Sequence, residues 1–144
     1  MYKTHNNNLR SVLAEDGVSS LELKKYENRS TVNLHELREE MGMGSWAVRI
    51  AYNELFGGVI IQQQQGEGNR RHYHHDADEN WVILDGEWEW WIDGVGTQRV
   101  EKDDIVVVPK GVLHQITCVK GPGVRYAITR PDVDHVYLEE NNES

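Results

Sequence analysis

A single cysteine, Cys118, leaves no partner for an internal disulfide in this chain of 144 residues, which agrees with a reducing cytoplasm. Cationic charge is also scarce. Fifteen Lys and Arg stand against 24 Asp and Glu, giving a net charge of -9 and a pI of about 5.2. That balance argues against sequence-independent binding to nucleic acid or to an anionic membrane. No apolar run approaches the roughly 20 residues that cross a bilayer. The first ten residues, MYKTHNNNLR, lack the apolar core of a secretory leader, so a cytoplasmic location is expected. What is plentiful is glycine, with 13 residues, and short apolar runs. Together they favour an all-β barrel over a helical bundle. The length suits one domain with a sizeable core.

Along the chain, residues 1–17 read as a flexible polar arm, residues 18–138 as the single barrel domain and residues 139–144 as an acidic disordered tail. Leu21 and Leu23 alternate with Glu22 and Lys24, which predicts a first strand over residues 19–25. One short helix is expected within residues 31–41, with Asn33 as N-cap, Leu34 and Leu37 on one face and Gly42 as the stop. His35 on that helix faces solvent. Trp46, Val48, Ile50 and Tyr52 form the inner face of a strand, residues 53–58 a turn and residues 59–65 the return strand. Of the four glutamines at 62–65, parity turns two inward and two outward. Asp85-Gly86 and Asp93-Gly94 read as turns between strands, and Gly121-Pro122-Gly123 as the turn into a last strand over residues 124–129. Trp88 and Trp90 point inward. Trp91 points outward as an exposed indole, the mark of a subunit interface or of a contact with the N-terminal arm. Residues 105–108, apolar and β-branched, read as a buried strand. His135, beyond Pro131 and near the surface, is given no role.

The stretch over residues 66–86, GEGNRRHYHHDADENWVILDG, carries the chemistry. In an extended chain His72 and His74 share one face and Tyr73 takes the other. Glu79 follows after a short loop, and His114 comes from a later strand behind Pro109-Lys110-Gly111. Three imidazoles and a carboxylate from two separated parts of the chain can converge on one divalent metal. His75, of opposite parity, reads as a surface residue.

These residues resemble the signatures of the cupin superfamily. Gly66, His72, His74, Glu79 and Gly86 fit every fixed position of G(X)5HXH(X)3-4E(X)6G, and Pro109, Gly111 and His114 fit the second signature, G(X)5PXG(X)2H(X)3N. Asp103 stands where the family has Gly, and Cys118 where it has Asn. Neither position supplies a ligand in the family, so those departures bear on turn geometry and hydrogen bonding only. The resemblance implies an antiparallel double-stranded β-helix, a jelly-roll-like barrel, with the metal between its sheets. It also implies a homodimer in which N-terminal strands add to a neighbour's sheet.

A nitrogen–oxygen donor set without thiolate suits Fe(II), with Mn(II), Zn(II), Ni(II) or Co(II) as alternatives, one ion per chain. Six-coordination by four protein ligands leaves two positions open. The expected activity is an Fe(II)-dependent dioxygenase acting on a small, carboxylate-bearing organic molecule. The alternatives are a non-oxidative isomerase, epimerase or lyase, and a non-catalytic metal-assisted binder of small molecules. For proton transfer the candidate bases are Tyr52 and Tyr126, or a free carboxylate. For substrate contact the candidates are Arg70, of the same parity as His72 and His74, together with Gln63, Trp88 and Trp90.

Overall fold

A computed structural model describes residues 20–137. The expected arm at 1–17 and tail at 139–144 lie outside the described residues. The elements run α1 (Leu34–Met41), β1 (Trp46–Tyr52), β2 (Gly57–Gln63), β3 (Gly68–Tyr73), β4 (Glu79–Ile92), β5 (Gly96–Glu101), β6 (Ile105–Val108), β7 (His114–Thr129) and β8 (Val136–Tyr137). All strand pairs are antiparallel, in the order β1-β2-β7-β3-β8, with β4 pairing β5, β6 and β7. No described helix is long and apolar enough to cross a membrane.

The helix begins and ends where its caps dictate. The Asn33 side chain accepts from the Glu36 amide at 2.8 Å, and the Gly42 amide donates to the Arg38 carbonyl at 2.8 Å from a positive φ of 88°. Eight residues are too few to persist alone, so the helix relies on docking. Leu37 is fully buried, and Arg38 bonds Gln62 at 2.6 Å and pairs with Asp85 at 2.9 Å.

β4 and β7 run side by side along their whole length and bend together. Asp85 pairs Val124 and Glu87 pairs Lys120, with register shifts on both sides of Gly86. Asp85-Gly86 is therefore a bulge inside one strand, not a hairpin turn, and Gly121-Pro122-Gly123 is the matching bend inside β7. Gly86 sits at φ 80°, and a Cβ there would lie 2.6 Å from the Gly123 Cα. The bulge also swaps parity. Trp81 and Ile83 face inward before it, and Trp88, Trp90 and Ile92 after it. The sheet thereby folds over on itself around one apolar core that includes Trp46, Trp81, Trp88 and Trp90.

Three local expectations are corrected. The strand expected over 19–25 shrinks to one parallel bridge, Leu21 to Val48, because the chain then turns to bury Tyr26, whose hydroxyl bonds Glu40 at 2.5 Å. β6 is an edge, paired only to β4, so Val106 and Val108 are buried while Ile105 and Val107 are 66% and 55% exposed. Trp91 points outward but is half-covered, with the Arg71 guanidinium 3.8 Å from its ring centre.

Candidate metal centre

Strand ends bring the site together. His72 lies on β3, His74 just beyond it, Glu79 opens β4 and His114 opens β7. His72 is paired directly with His114 across the β3–β7 ladder. That ladder is tight, because Gly68 lies against the Ile116 carbonyl and a Cβ there would collide with backbone. The loop between His74 and Glu79 is tied to the Pro109-Lys110-Gly111 turn. The Gly111 amide donates to the His74 carbonyl at 2.7 Å, and the Lys110 amide to Asp78 Oδ1 at 2.8 Å. Gly111 holds a φ of 79°, which explains the glycine.

All four side chains are buried, and one ligand atom from each lies within 4.8 Å of the others. Each Nδ1 meets a backbone carbonyl: His72 that of Arg70 at 2.7 Å, His74 that of Asp134 at 2.7 Å, His114 that of Val112 at 3.0 Å. A carbonyl only accepts, so each Nδ1 carries the proton and each Nε2 presents a lone pair. The three Nε2 atoms are buried without a hydrogen-bond partner. Glu79 Oε2 and Oε1 nonetheless stand 2.9 Å from Nε2 of His74 and of His114. Lone pairs facing a carboxylate at that distance repel unless a cation lies among them, so the residues fit a metal ion. Three neutral imidazoles and one carboxylate give the set a charge of -1.

The electrostatics agree. Burial, reinforced by His114, pushes the His72 imidazole down to about 2, so His72 is neutral and free to ligate. Burial would raise the Glu79 carboxyl, but without an ion the His114 and His74 rings, once protonated and donating to it, hold Glu79 well below the usual carboxylate range. Burial works against a proton on His74, yet the adjoining Glu79 raises that imidazole. Trp81 Nε1 adds a hydrogen bond to Glu79 Oε1 at 3.2 Å.

A cavity of about 110 Å³ adjoins Glu79. Its wall includes Asn69, Trp81, Arg125 and His135 together with aliphatic side chains such as Val59 and Ile61. Arg70, Gln63, Trp88 and Trp90, the candidates for substrate contact, are not on that wall. Trp88 and Trp90 are fully buried in the core. Arg70 stacks 4.0 Å from the Tyr137 ring centre and serves the site through its carbonyl. Gln63 acts one step back, accepting from Arg125 Nε at 3.2 Å and Nη2 at 2.8 Å while donating to the Gly68 carbonyl at 3.1 Å. Of the four glutamines only Gln62 and Gln63 lie on β2, so the expected alternation applies to those two alone, and neither is at a solvated edge. Gln62 and Gln63 are both buried, one on each face of β2.

The two tyrosines are likewise off the wall. Tyr52 bonds Asp132 at 2.7 Å, which raises its phenol, and Tyr126, raised by burial, has the opposite parity to Arg125 on β7. A raised phenol pKa leaves either with less phenolate to act as a base near neutral pH. Three residues that sequence reasoning passed over matter here. Arg125 is fully buried on β7; a lone arginine in the apolar run GVRYAI was its signal. His135 sits with its ring centre 4.9 Å from that of His72 and 4.6 Å from that of His74. Asp134 contributes only a carbonyl, which no side-chain pattern can announce.

Comparison with known proteins agrees with this fold. The family model described as Cupin domain matches residues 59–127. No curated protein matches the sequence. Among similar solved structures, KdgF from Halomonas sp. superposes with a TM-score of 0.57 at 18% identity, covering 61% of this chain and 79% of that chain. A Klebsiella pneumoniae protein described as having a double-stranded β-helix domain gives 0.57 at 15% identity, covering 80% and 92%. A Silicibacter pomeroyi protein, described as a sugar phosphate isomerase from a cupin superfamily, gives 0.53 at 20% identity, covering 60% and 59%. At such identities the likeness establishes the fold, the expected double-stranded β-helix, and not a reaction.

Proposed function

This chain belongs to the cupin superfamily, and on that premise we propose that it is a mononuclear metal-dependent enzyme acting on a small, carboxylate-bearing molecule, in the first place an Fe(II)-dependent dioxygenase. One observation carries the metal-dependent part of the reading: three buried Nε2 atoms without partners surround an ionised Glu79, with every Nδ1 fixed on a carbonyl. An ion held by His72, His74, Glu79 and His114 would supply Lewis acidity and, as iron(II), the electrons that dioxygen chemistry requires. The rest is done by the chain. The three carbonyls keep the imidazoles turned inward, Trp81 holds the Glu79 carboxylate by one oxygen, and aliphatic walls limit water in the cavity. The dioxygenase is preferred because Tyr52 and Tyr126 lie off the cavity, and His135 on its wall is lowered to about 4 by burial, which makes it a weak base at neutral pH.

The test is metal analysis of protein purified without oxygen or chelator, followed by a dioxygen-electrode screen of small organic acids. Stoichiometric uptake that disappears in His114→Ala supports the dioxygenase. Turnover under strict anaerobiosis overturns it and favours the second reading, a non-oxidative isomerase or lyase. That second reading has one observation of its own, His135 on the cavity wall as a group able to carry a proton.

A further inference from the structure

Arg125 is an anomaly in this fold. Its side chain is fully buried, clasped between the rings of Trp81, 4.7 Å from its guanidinium carbon, and Trp88, at 5.2 Å. Nε and Nη2 share one neutral acceptor, Gln63 Oε1, and Nη1 has no hydrogen-bond partner. Among the described residues no carboxylate forms an ion pair with it. Burying a charge without a partner costs several kcal/mol, so folds rarely keep one without use. Burial lowers Arg125 to about 9, which leaves it cationic at neutral pH. The acidic group sharing the cavity is Glu79, whose oxygens already face His74, His114 and Trp81. A divalent ion there would leave the centre at about +1, and Arg125 adds another positive charge beside it.

The geometry points to Arg125, oriented by Gln63, as the receptor for the carboxylate of a small acid bound in this cavity. Gln63 and the two indoles fix the guanidinium in place, so the donor is organised before the ligand arrives. The volume of about 110 Å³ accommodates about four waters, or an acid of roughly three or four carbons. Asn69, 4% exposed on the same wall, adds a neutral amide able to bond a hydroxyl or carbonyl of that acid. This deepens the proposed function and rests on it only in setting the acid's other end toward the metal centre.

Propionate and its uncharged counterpart propionamide are titrated by calorimetry into chelator-treated and Zn(II)-loaded protein, with zinc content measured alongside. Wild-type protein is expected to bind propionate about 10- to 100-fold more tightly than propionamide, the range of a charge-assisted hydrogen bond. Arg125→Met is expected to lose that preference while keeping stoichiometric zinc. Gln63→Glu, which sets a permanent carboxylate against the guanidinium, is expected to weaken propionate and leave propionamide unchanged. Equal affinity for the two ligands on wild-type protein overturns the assignment without any variant, as does an Arg125→Met protein that keeps the preference. A wild-type chain that takes up no zinc yet prefers propionate through Arg125 removes the metal centre and retains the receptor. Zinc uptake without the preference does the reverse.

Discussion

Replacing Glu79 by glutamine keeps the side chain's shape and moves two quantities in opposite directions. Without metal and above the histidine titration range, Glu79 faces Nε2 lone pairs of His74 and His114 at 2.9 Å, since both rings hold their proton on Nδ1. The glutamine amide can donate to one of them. The gain is one neutral hydrogen bond in a buried site and the loss of an ill-paired buried anion, about 1–2 kcal/mol of added stability. With metal, the donor set falls from -1 to neutral and exchanges a carboxylate for an amide oxygen. Affinity should drop about 100-fold or more, which removes about 2.7 kcal/mol of ligand-linked stability at a fixed excess of ion. Thermal unfolding in chelator and in excess Zn(II) reads both. For a domain of this length each kcal/mol moves Tm by about 3–5 °C, so the variant should melt higher than wild type in chelator and gain much less from zinc. At lower pH the first sign reverses, because His74, raised by Glu79 against burial, then takes a second proton and pairs with it. A variant that melts lower than wild type in alkaline chelator, or that responds to zinc as fully as wild type, refutes the assignment of tautomers and ligands.

Acid should weaken the metal-free protein through His72. Its folded pKa of about 2 lies below the unfolded value, so the unfolded chain binds the proton first and stability falls as pH drops from about 6.5, by about 1.4 kcal/mol per unit. His72→Gln should remove the His72 share of that slope in urea titrations across the same range, leaving the share of His135, which burial lowers to about 4; an unchanged slope assigns it to other groups. Gly68→Ala drives a Cβ into the Ile116 carbonyl, so it should cost about 3 kcal/mol and also weaken metal binding by parting His72 from His114. Equal zinc affinity in the two proteins would separate the ladder from the site. Asp103 occupies φ 80°, and Asp103→Gly should therefore stabilise the fold by up to about 1 kcal/mol in chemical denaturation, with no change in metal affinity.

Much of this molecule could be read from its residues, and the remainder fails for identifiable reasons. The four candidate ligands followed from parity and spacing, since an HxH pair in an extended chain has only one way to face. The helix followed from Asn33 and Gly42, because capping is local chemistry. Asp85-Gly86 misled because the dipeptide reports a positive φ, which a hairpin and a bulge share, while the partner strand decides which one forms. β6 misled because an apolar run does not reveal that a strand has a neighbour on one side only. The position of Asp103 was a departure from the resemblance that proved conservative in shape, since aspartate adopts there the left-handed backbone that glycine favours. Arg125 left only a faint signal and Asp134 none, for a deeper reason. A cation inside a sheet and a carbonyl 60 residues from its histidine acquire meaning only when the chain is closed.

The Asp134 carbonyl sits outside the span, 59–127, by which this chain is recognised. A trimmed protein ending where the recognisable domain ends would retain every first-rank ligand and lose the latch that keeps one of them in its working tautomer. Domain borders drawn from shared motifs can therefore cut through a site that they contain. For anyone shortening, grafting or fusing this barrel, the safe boundary lies beyond β8.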